Sequence, residues 1–284
     1  MPFDSQEMET LLHGRLRPLR LRIFEVGPRV PRGKTGARFA VAKDEKNRRY
    51  QVILKLREPG TPEGHYKGTS LATELIFAIL ARTLGLNVPD YAIAEVRSEV
   101  ATGAPDEATR KLLLRNVGPN FATIRLIPQP AAWDPSCRLL SENLRDAMSG
   151  IIAFDSISLN GDRKVSNPNL LWDGADSVHL IDHGLACPVY LWAPDVRERS
   201  PLLPDEQLTK HCAHAFLVNK GRRYEILPEQ WRRGIDQGIL TGIRASIPLE
   251  WERQPGDVDA IFDFLLDRHV RLSDISMELR RLLK

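Results

Sequence analysis

No stretch of this sequence approaches the roughly 18 to 20 uncharged apolar residues that a membrane span requires. Its opening residues, MPFDSQEMET, are acidic and lack an apolar core, so neither insertion nor export is expected. Cysteine is scarce: Cys137, Cys187 and Cys212 are the only three in 284 residues, an odd set that argues for free thiols in a reducing, cytoplasmic compartment. Neither charge dominates, with 40 Lys and Arg against 37 Asp and Glu, and the basic residues are scattered rather than striped, so nucleic acid is not an indicated partner. The chain has no internal repeat and no Gly-x-Ser-x-Gly elbow of a serine hydrolase. Gly33-Lys34-Thr35 lacks the glycine that a P-loop needs five residues earlier, because position 28 is proline. His211, Cys212 and His214 do not have the spacing of a zinc ribbon or a His-Glu-x2-His site. What remains is a globular chain, 42% hydrophobic, long enough for one or two domains.

The first 127 or so residues read as a small mixed lobe. Residues 19–26 alternate as a strand, and residues 38–41 and 50–56 form a hairpin around the polar run 43–47. The Gly- and Pro-rich stretch 27–36 reads as loop. Leu71, Leu75, Ala78 and Ile79 recur at helical spacing within 70–84, and Gly85 sits where a cap belongs, which predicts an amphipathic helix. Residues 91–96 and 123–127 look like further strands, separated by a polar insertion near 98–108. Beyond Pro128-Gln129-Pro130 the apolar period lengthens: Leu144, Ala147, Met148, Ile151 and Ile152 mark one helix, and Ile261 to Leu282 mark helical structure near the C-terminus. The expected class is therefore α+β, with a small sheet-bearing lobe (1–127) holding one helix and a larger, mainly helical lobe (128–284).

The second lobe has one clear β element. Residues 169–172, the turn Asp173-Gly174-Ala175-Asp176 and residues 178–182 read as a hairpin. Residues entering its first strand lie beside those leaving its second, so Asn167 and Asn169 should approach Asp182. Asp162, five residues before Asn167 on the loop feeding the hairpin, points into the same space. Two carboxylates and one or two amides of this kind suit Mg2+, which keeps several waters and shares phosphate oxygens with its substrate. Each residue taken singly fits ordinary turn chemistry as well; it is their joint order that points to a nucleotide-magnesium site.

The segments FDSISLNGDRKVSNPNLLW (154–172) and HLIDHG (179–184) resemble the catalytic segment of protein-kinase-like phosphotransferases, most closely the small bacterial HipA-like kinases. That resemblance implies a two-lobed protein-kinase-like fold, with Asp162 as catalytic base and Asn167 and Asp182 as magnesium ligands. Asn169 is a second amide for the metal role. Residues 163 and 164 and His183 depart from the usual kinase pattern. Val52-Ile53-Leu54-Lys55 resembles the strand that presents the phosphate-binding lysine, Glu74 lies where its carboxylate partner is expected, and LATELIFAILARTLGLNVP (71–89) resembles the corresponding helix. The resemblance further implies ATP as phosphoryl donor and a hydroxyl acceptor, with protein serine or threonine as its class.

Between two strands, the loop carrying Lys34 and Arg32 is either a cover for nucleotide phosphates or a plain connection. Asp155 is open to two readings, an acceptor for the catalytic loop or a helix-surface carboxylate. Trp133, Asp134 and residues 126–129 fall where an inter-lobe hinge would run. Arg222-Arg223 and Trp231-Arg232-Arg233 form a basic and aromatic patch that more often marks a solvated helix face. A non-catalytic, pseudokinase-like nucleotide-binding module is the principal alternative to an enzyme, and a nucleic-acid-associated protein using the Arg-rich C-terminal lobe is a third. The sequence names no oligomeric state and no protein partner.

Overall fold

A computed structural model of the protein describes residues 17–31, 36–58, 70–134, 141–187, 205–218, 226–252 and 256–283. They fall into two compact units, and the chain as a whole mixes helix and strand. The first takes the described residues within Met1–Leu71, Asp90–Arg125 and Thr241–Arg253, the second those within Ala72–Pro89, Leu126–Leu240 and Gln254–Lys284.

The first unit is built on a closed five-stranded barrel. Strands β1 (Leu19–Arg29), β2 (Arg38–Lys43) and β3 (Arg49–Lys55) run antiparallel in sequence order. After helix α1 (Ser70–Thr83) come β4 (Tyr91–Val96), helices α2 (Ser98–Thr102) and α3 (Glu107–Arg115), and β5 (Gly118–Ile124). The barrel order is β1-β2-β3-β5-β4, closed by the parallel pairing of β1 with β4. So few strands leave a narrow interior. Buried Ala40, Ala42, Ala92, Ala94 and Ala122 fill it beside Leu21, Ile23, Val52 and Leu54, small residues alternating with large ones as the taper requires.

Three expectations change in this unit. Residues 27–29 are not loop: β1 continues to Arg29, with a register shift between Val26 and Arg29 that accommodates Pro28. A Cβ at Gly27 would lie 3.3 Å from the Phe39 carbonyl oxygen, so glycine permits the close approach of the two strands. The stretch near 98–108 is no mere polar insertion but contributes α2 and the start of α3, whose first turn is capped by the Asp106 side chain accepting from the Thr109 N–H at 2.6 Å. The strand expected at 123–127 instead spans 118–124, because Pro119 sits near a strand start, where its missing N–H costs little. Late in the chain, Trp251 of the 3-10 turn Leu249–Trp251 donates its indole N–H to the Pro119 carbonyl at 2.8 Å, tying residues distant in sequence to β5.

The second unit is mainly helical. It contains the body of α1, β6 (Ala131–Ala132), α4 (Glu142–Ser158), β7 (Leu170–Trp172), β8 (Val178–Leu180), α5 (Asp205–Thr209), α6 (His214–Leu217) and α7 (Ile226–Gly234). Helix α8 (Gln237–Ser246) has its first four residues in the second unit and the rest in the first, and α9 (Asp257–Val270) and α10 (Leu272–Leu282) complete the second unit. The hairpin β7-β8 forms as the sequence predicts, pairing Leu170 with Leu180 and Trp172 with Val178, and β6 adds a third strand along β7. Trp133, which follows β6, is buried edge-on against Trp172 and Phe216.

Helix α1 is not amphipathic as expected. Every residue from Leu71 to Ala81 is buried. Its end is a Schellman motif: Leu86 N–H reaches Ala81 O and Gly85 N–H reaches Arg82 O, with Gly85 at φ +78°. Helix α4 is buried along Met148–Ser158 apart from Gly150, and its last carbonyls at Ser156 and Ile157 accept from the buried Arg268 guanidinium. Burial pulls Arg268 down to about 10.

Candidate functional site

The chemistry-bearing residues of the second unit gather where α4 hands the chain to the hairpin. Helix α4 ends at Leu159, which takes the left-handed conformation at φ 52°. Among the described residues the other non-glycine positions with positive φ are Asn47, Asn169, Asp182 and Cys187, so four of the five lie between 159 and 187. Such concentrated strain persists only where surrounding contacts over-determine the backbone, and it is a mark of working sites.

Those contacts centre on Asp155, which is fully buried. One carboxylate oxygen accepts the Asn160 amide at 3.2 Å; the other accepts Arg163 Nε at 2.6 Å and faces His211 Nε2 at 2.9 Å. Burial alone would push the Asp155 carboxyl up, but the Arg163 guanidinium and the His211 hydrogen bond hold it below its ordinary value. The same ion pair raises Arg163 against its own burial. The open question about Asp155 is thereby decided: it serves the loop, and the helix-surface reading is corrected. Arg163 extends its other arm to both sides of the hairpin's open end. Its Nη1 donates to the carbonyls of Asn169, entering β7, at 2.6 Å, and of Ile181, leaving β8, at 3.1 Å. Ile181 N–H also bonds Asn169 O at 3.1 Å.

Four residues singled out in the sequence sit around this frame. Asp162 Oδ2 accepts from the Asn167 side-chain amide at 2.9 Å and from that of Asn169 at 3.1 Å, while its own N–H reaches Asn160 Oδ1 at 3.3 Å. Asp182 follows Ile181 directly, at φ 62°, and its charge bears on Arg163. Asp162, Asn167 and Asn169 thus come together through hydrogen bonds, and Asp182 leaves the paired end of the same hairpin.

Glu74 lies on α1, buried, and its carboxylate accepts the backbone N–H groups of His183 and Gly184, each at 2.9 Å. It therefore holds the two residues after Asp182. His183 is buried edge-on against Phe154. Lys55 ends β3 in the first unit, paired in register with Phe121. Lys34 and Arg32, with the loop that carries them, lie outside the described residues, as do Cys137 and the Arg222-Arg223 pair. The patch at Trp231 resolves into a buried indole with Arg232 and Arg233 paired to Glu229 on the exposed face of α7.

The Glu74 contact carries its own prediction. Glu74→Gln can offer only one oxygen, so its NH2 group must face a backbone N–H in a buried position. The expected loss is about 1–3 kcal/mol of stability, read by urea unfolding. Gly184→Ala should act at the same contact, since its Cβ would stand 3.0 Å from Glu74 Oε1. A neutral result for Glu74→Gln would mean that the two N–H groups find other acceptors.

The donor set fits Mg2+. Asp162, Asn167, Asn169 and Asp182 offer only oxygen as ligand atoms, and among the described residues no hydrogen bond occupies the Oδ1 of Asn167 or Asn169. Among those residues there is no group of three or more His, Cys, Asp or Glu arranged to hold a metal. Two carboxylates with two amides, short of a closed cage, leave room for water and phosphate oxygens. No described helix is long and apolar enough to cross a membrane.

Sequence reasoning undervalued Arg163, noted only as a departure from a pattern, and His211, weighed only as a zinc ligand. The signal lay in Asp155 itself. An acidic residue inside the run GIIAFDSIS has no solvent-facing side of the helix to occupy, and such a buried carboxylate needs a cation. A family model described as HipA-like kinase matches residues 25–191, more than half of the chain. No curated protein matches it.

Proposed function

The chain belongs to the HipA-like kinase family, and from that premise we propose that it is an ATP- and Mg2+-dependent phosphotransferase acting on a hydroxyl acceptor, of the protein serine or threonine class. The observation that carries the reading is Asp162, held by the amides of Asn167 and Asn169 beside the hairpin end from which Asp182 emerges. In this reading residues 1–127 form the phosphate-binding lobe and residues 128–284 the lobe with the catalytic loop and metal site, as in a two-lobed kinase fold.

Each residue then has a physical task. Asp162 accepts the proton of the acceptor hydroxyl, and the two amide donors on its Oδ2 fix the direction in which the other oxygen faces. Asn167 and Asp182, with Asn169 as a further amide, would hold Mg2+, which when bound neutralises charge on the phosphate oxygens. Lys55 steadies the non-transferred phosphates, and Glu74 and Lys34 are further residues assigned to nucleotide binding. Glu74 also holds the backbone directly after Asp182 and so bears on where that metal ligand stands.

The test is incubation with γ-labelled ATP, with and without Mg2+, alone and with cell extract. Magnesium-dependent labelling of protein is expected, and Lys55→Met should lower it at least about tenfold by weakening phosphate placement. Stabilisation by ATP and Mg2+ with neither transfer nor γ-phosphate release would overturn the enzymatic reading in favour of a nucleotide-binding module.

A further inference from the structure

His211 belongs to a segment far along the chain from the catalytic loop, yet its ring is 2% exposed and both of its nitrogens are engaged. Nδ1 accepts the Ala213 N–H at 3.1 Å, so this nitrogen carries no proton. Nε2 must then bear the N–H, and it faces Asp155 Oδ2 at 2.9 Å as a donor. The imidazole is thereby set as one tautomer, with its donor aimed at a carboxylate and its acceptor closing the local turn.

The Asp155 carboxylate distributes this contact along two routes. Through Oδ1 it holds Asn160, whose Oδ1 receives the Asp162 N–H. Through Oδ2 it holds Arg163, which ties Asn169 O to Ile181 O and so sets the spacing from which Asp182 departs. The segment around His211 is joined to the same loop by backbone as well. Cys212 N–H bonds Arg163 O at 3.0 Å and Val165 N–H bonds Lys210 O at 3.2 Å. Gln207 of α5 lies against Gly161, its Oε1 filling the space that an added Cβ would need. These contacts do not involve the imidazole, so the segment has other anchors when the ring is changed.

We infer that His211 is a positioning residue: by donating to Asp155 it holds the aspartate in the rotamer that places Asp162 and Asp182 for phosphoryl transfer. This rests on the function proposed above and deepens it, since it assigns part of the catalytic geometry to the segment 205–218. A ring that merely filled space, or merely closed its own turn through Ala213, would not act on the distant end of β8.

Two substitutions separate these roles. His211→Gln can place an amide N–H near the position of Nε2 and keep the donor to Asp155, while giving up the acceptor for Ala213. His211→Asn can place an oxygen near Nδ1 and keep the turn, while giving up the donor to Asp155. The measurements are kcat and KM for ATP, thermal midpoint, and hydrogen exchange of the peptide spanning residues 169–182. The inference expects His211→Asn to lose about ten- to a hundredfold in kcat, with KM for ATP within about twofold, and to exchange faster at 169–182. His211→Gln should retain at least roughly a third of the turnover and native-like exchange, even where its thermal midpoint falls as far.

Equal losses in the two variants, or unchanged exchange and turnover in His211→Asn, would overturn the positioning role. Should the unmodified protein transfer no phosphoryl group, the exchange arm still decides. Faster exchange confined to His211→Asn would retain the Asp155 route while the phosphotransferase reading falls, and equal exchange would remove both. Faster exchange with unaltered kcat in an active enzyme would overturn the catalytic consequence.

Discussion

Asp162→Asn should lower phosphoryl transfer by about two to four orders of magnitude while leaving ATP binding within a few-fold of the unmodified protein. The substitution is nearly isosteric, and its side-chain oxygen can still accept from Asn167 and Asn169, the two amides that surround Asp162 Oδ2. What it removes is the negative charge and basicity that the acceptor proton needs. Asp182→Asn should behave differently. At the hairpin exit it loses the one carboxylate charge among the proposed metal ligands, so both turnover and the magnesium-dependent part of the ATP-induced thermal shift should fall. The comparison to make is the thermal shift with ATP alone and with ATP plus Mg2+, beside initial rates. Full turnover in Asp162→Asn would remove the base, and identical magnesium dependence in both variants would remove the division of labour between the two carboxylates.

How much of this was legible beforehand depends on the distance over which each interaction acts. The hairpin was readable because turn and strands lie within about a dozen residues and carry their own signals; pairing predicted that Asn169 approaches the strand exit at Asp182, and the structure bonds Ile181 N–H, one residue earlier, to Asn169 O. The Schellman end of α1 was readable for the same reason, from Gly85. The full burial of α1 was not, because periodicity reports the most apolar face and is silent on whether Thr73 and Glu74 are covered as well. Barrel closure was equally hidden, since the parallel pairing of Leu19 with Ala92 joins strands with no local signature of their partnership. Asp155 and His211, 56 residues apart, form the clearest case. Neither has a neighbour in sequence that announces the other, and His211, Cys212 and His214 were weighed only against zinc-site spacings, which they do not fit. Cys212 is a buried thiol, pushed up to about 12 by burial.

The largest effect on stability is expected from opening the Asp155–Arg163 pair. Both side chains are wholly inaccessible to solvent and the ion pair is short, 2.6 Å from Nε to Oδ2. Desolvation of two such charges is expensive, and the pair is tolerable because Asn160, His211 and the carbonyls of Asn169 and Ile181 satisfy much of the remaining hydrogen-bonding capacity. Asp155→Asn leaves an uncompensated guanidinium in that environment, and Arg163→Met leaves an uncompensated carboxylate. Each should cost about 3–5 kcal/mol, enough to consume much of an ordinary domain's stability. The double variant Asp155→Leu with Arg163→Met removes both charges together and should unfold at higher urea than either single variant. The pH dependence follows from the sign of the shift. Because the folded protein holds the Asp155 carboxyl below its ordinary value of 3.8, the stability tied to that shift is present above this value and is lost as pH falls below it. Urea midpoints measured from neutral pH downward should therefore drop more steeply at the acid end for the unmodified protein than for Asp155→Asn. Parallel curves would mean that this carboxylate does not govern acid unfolding.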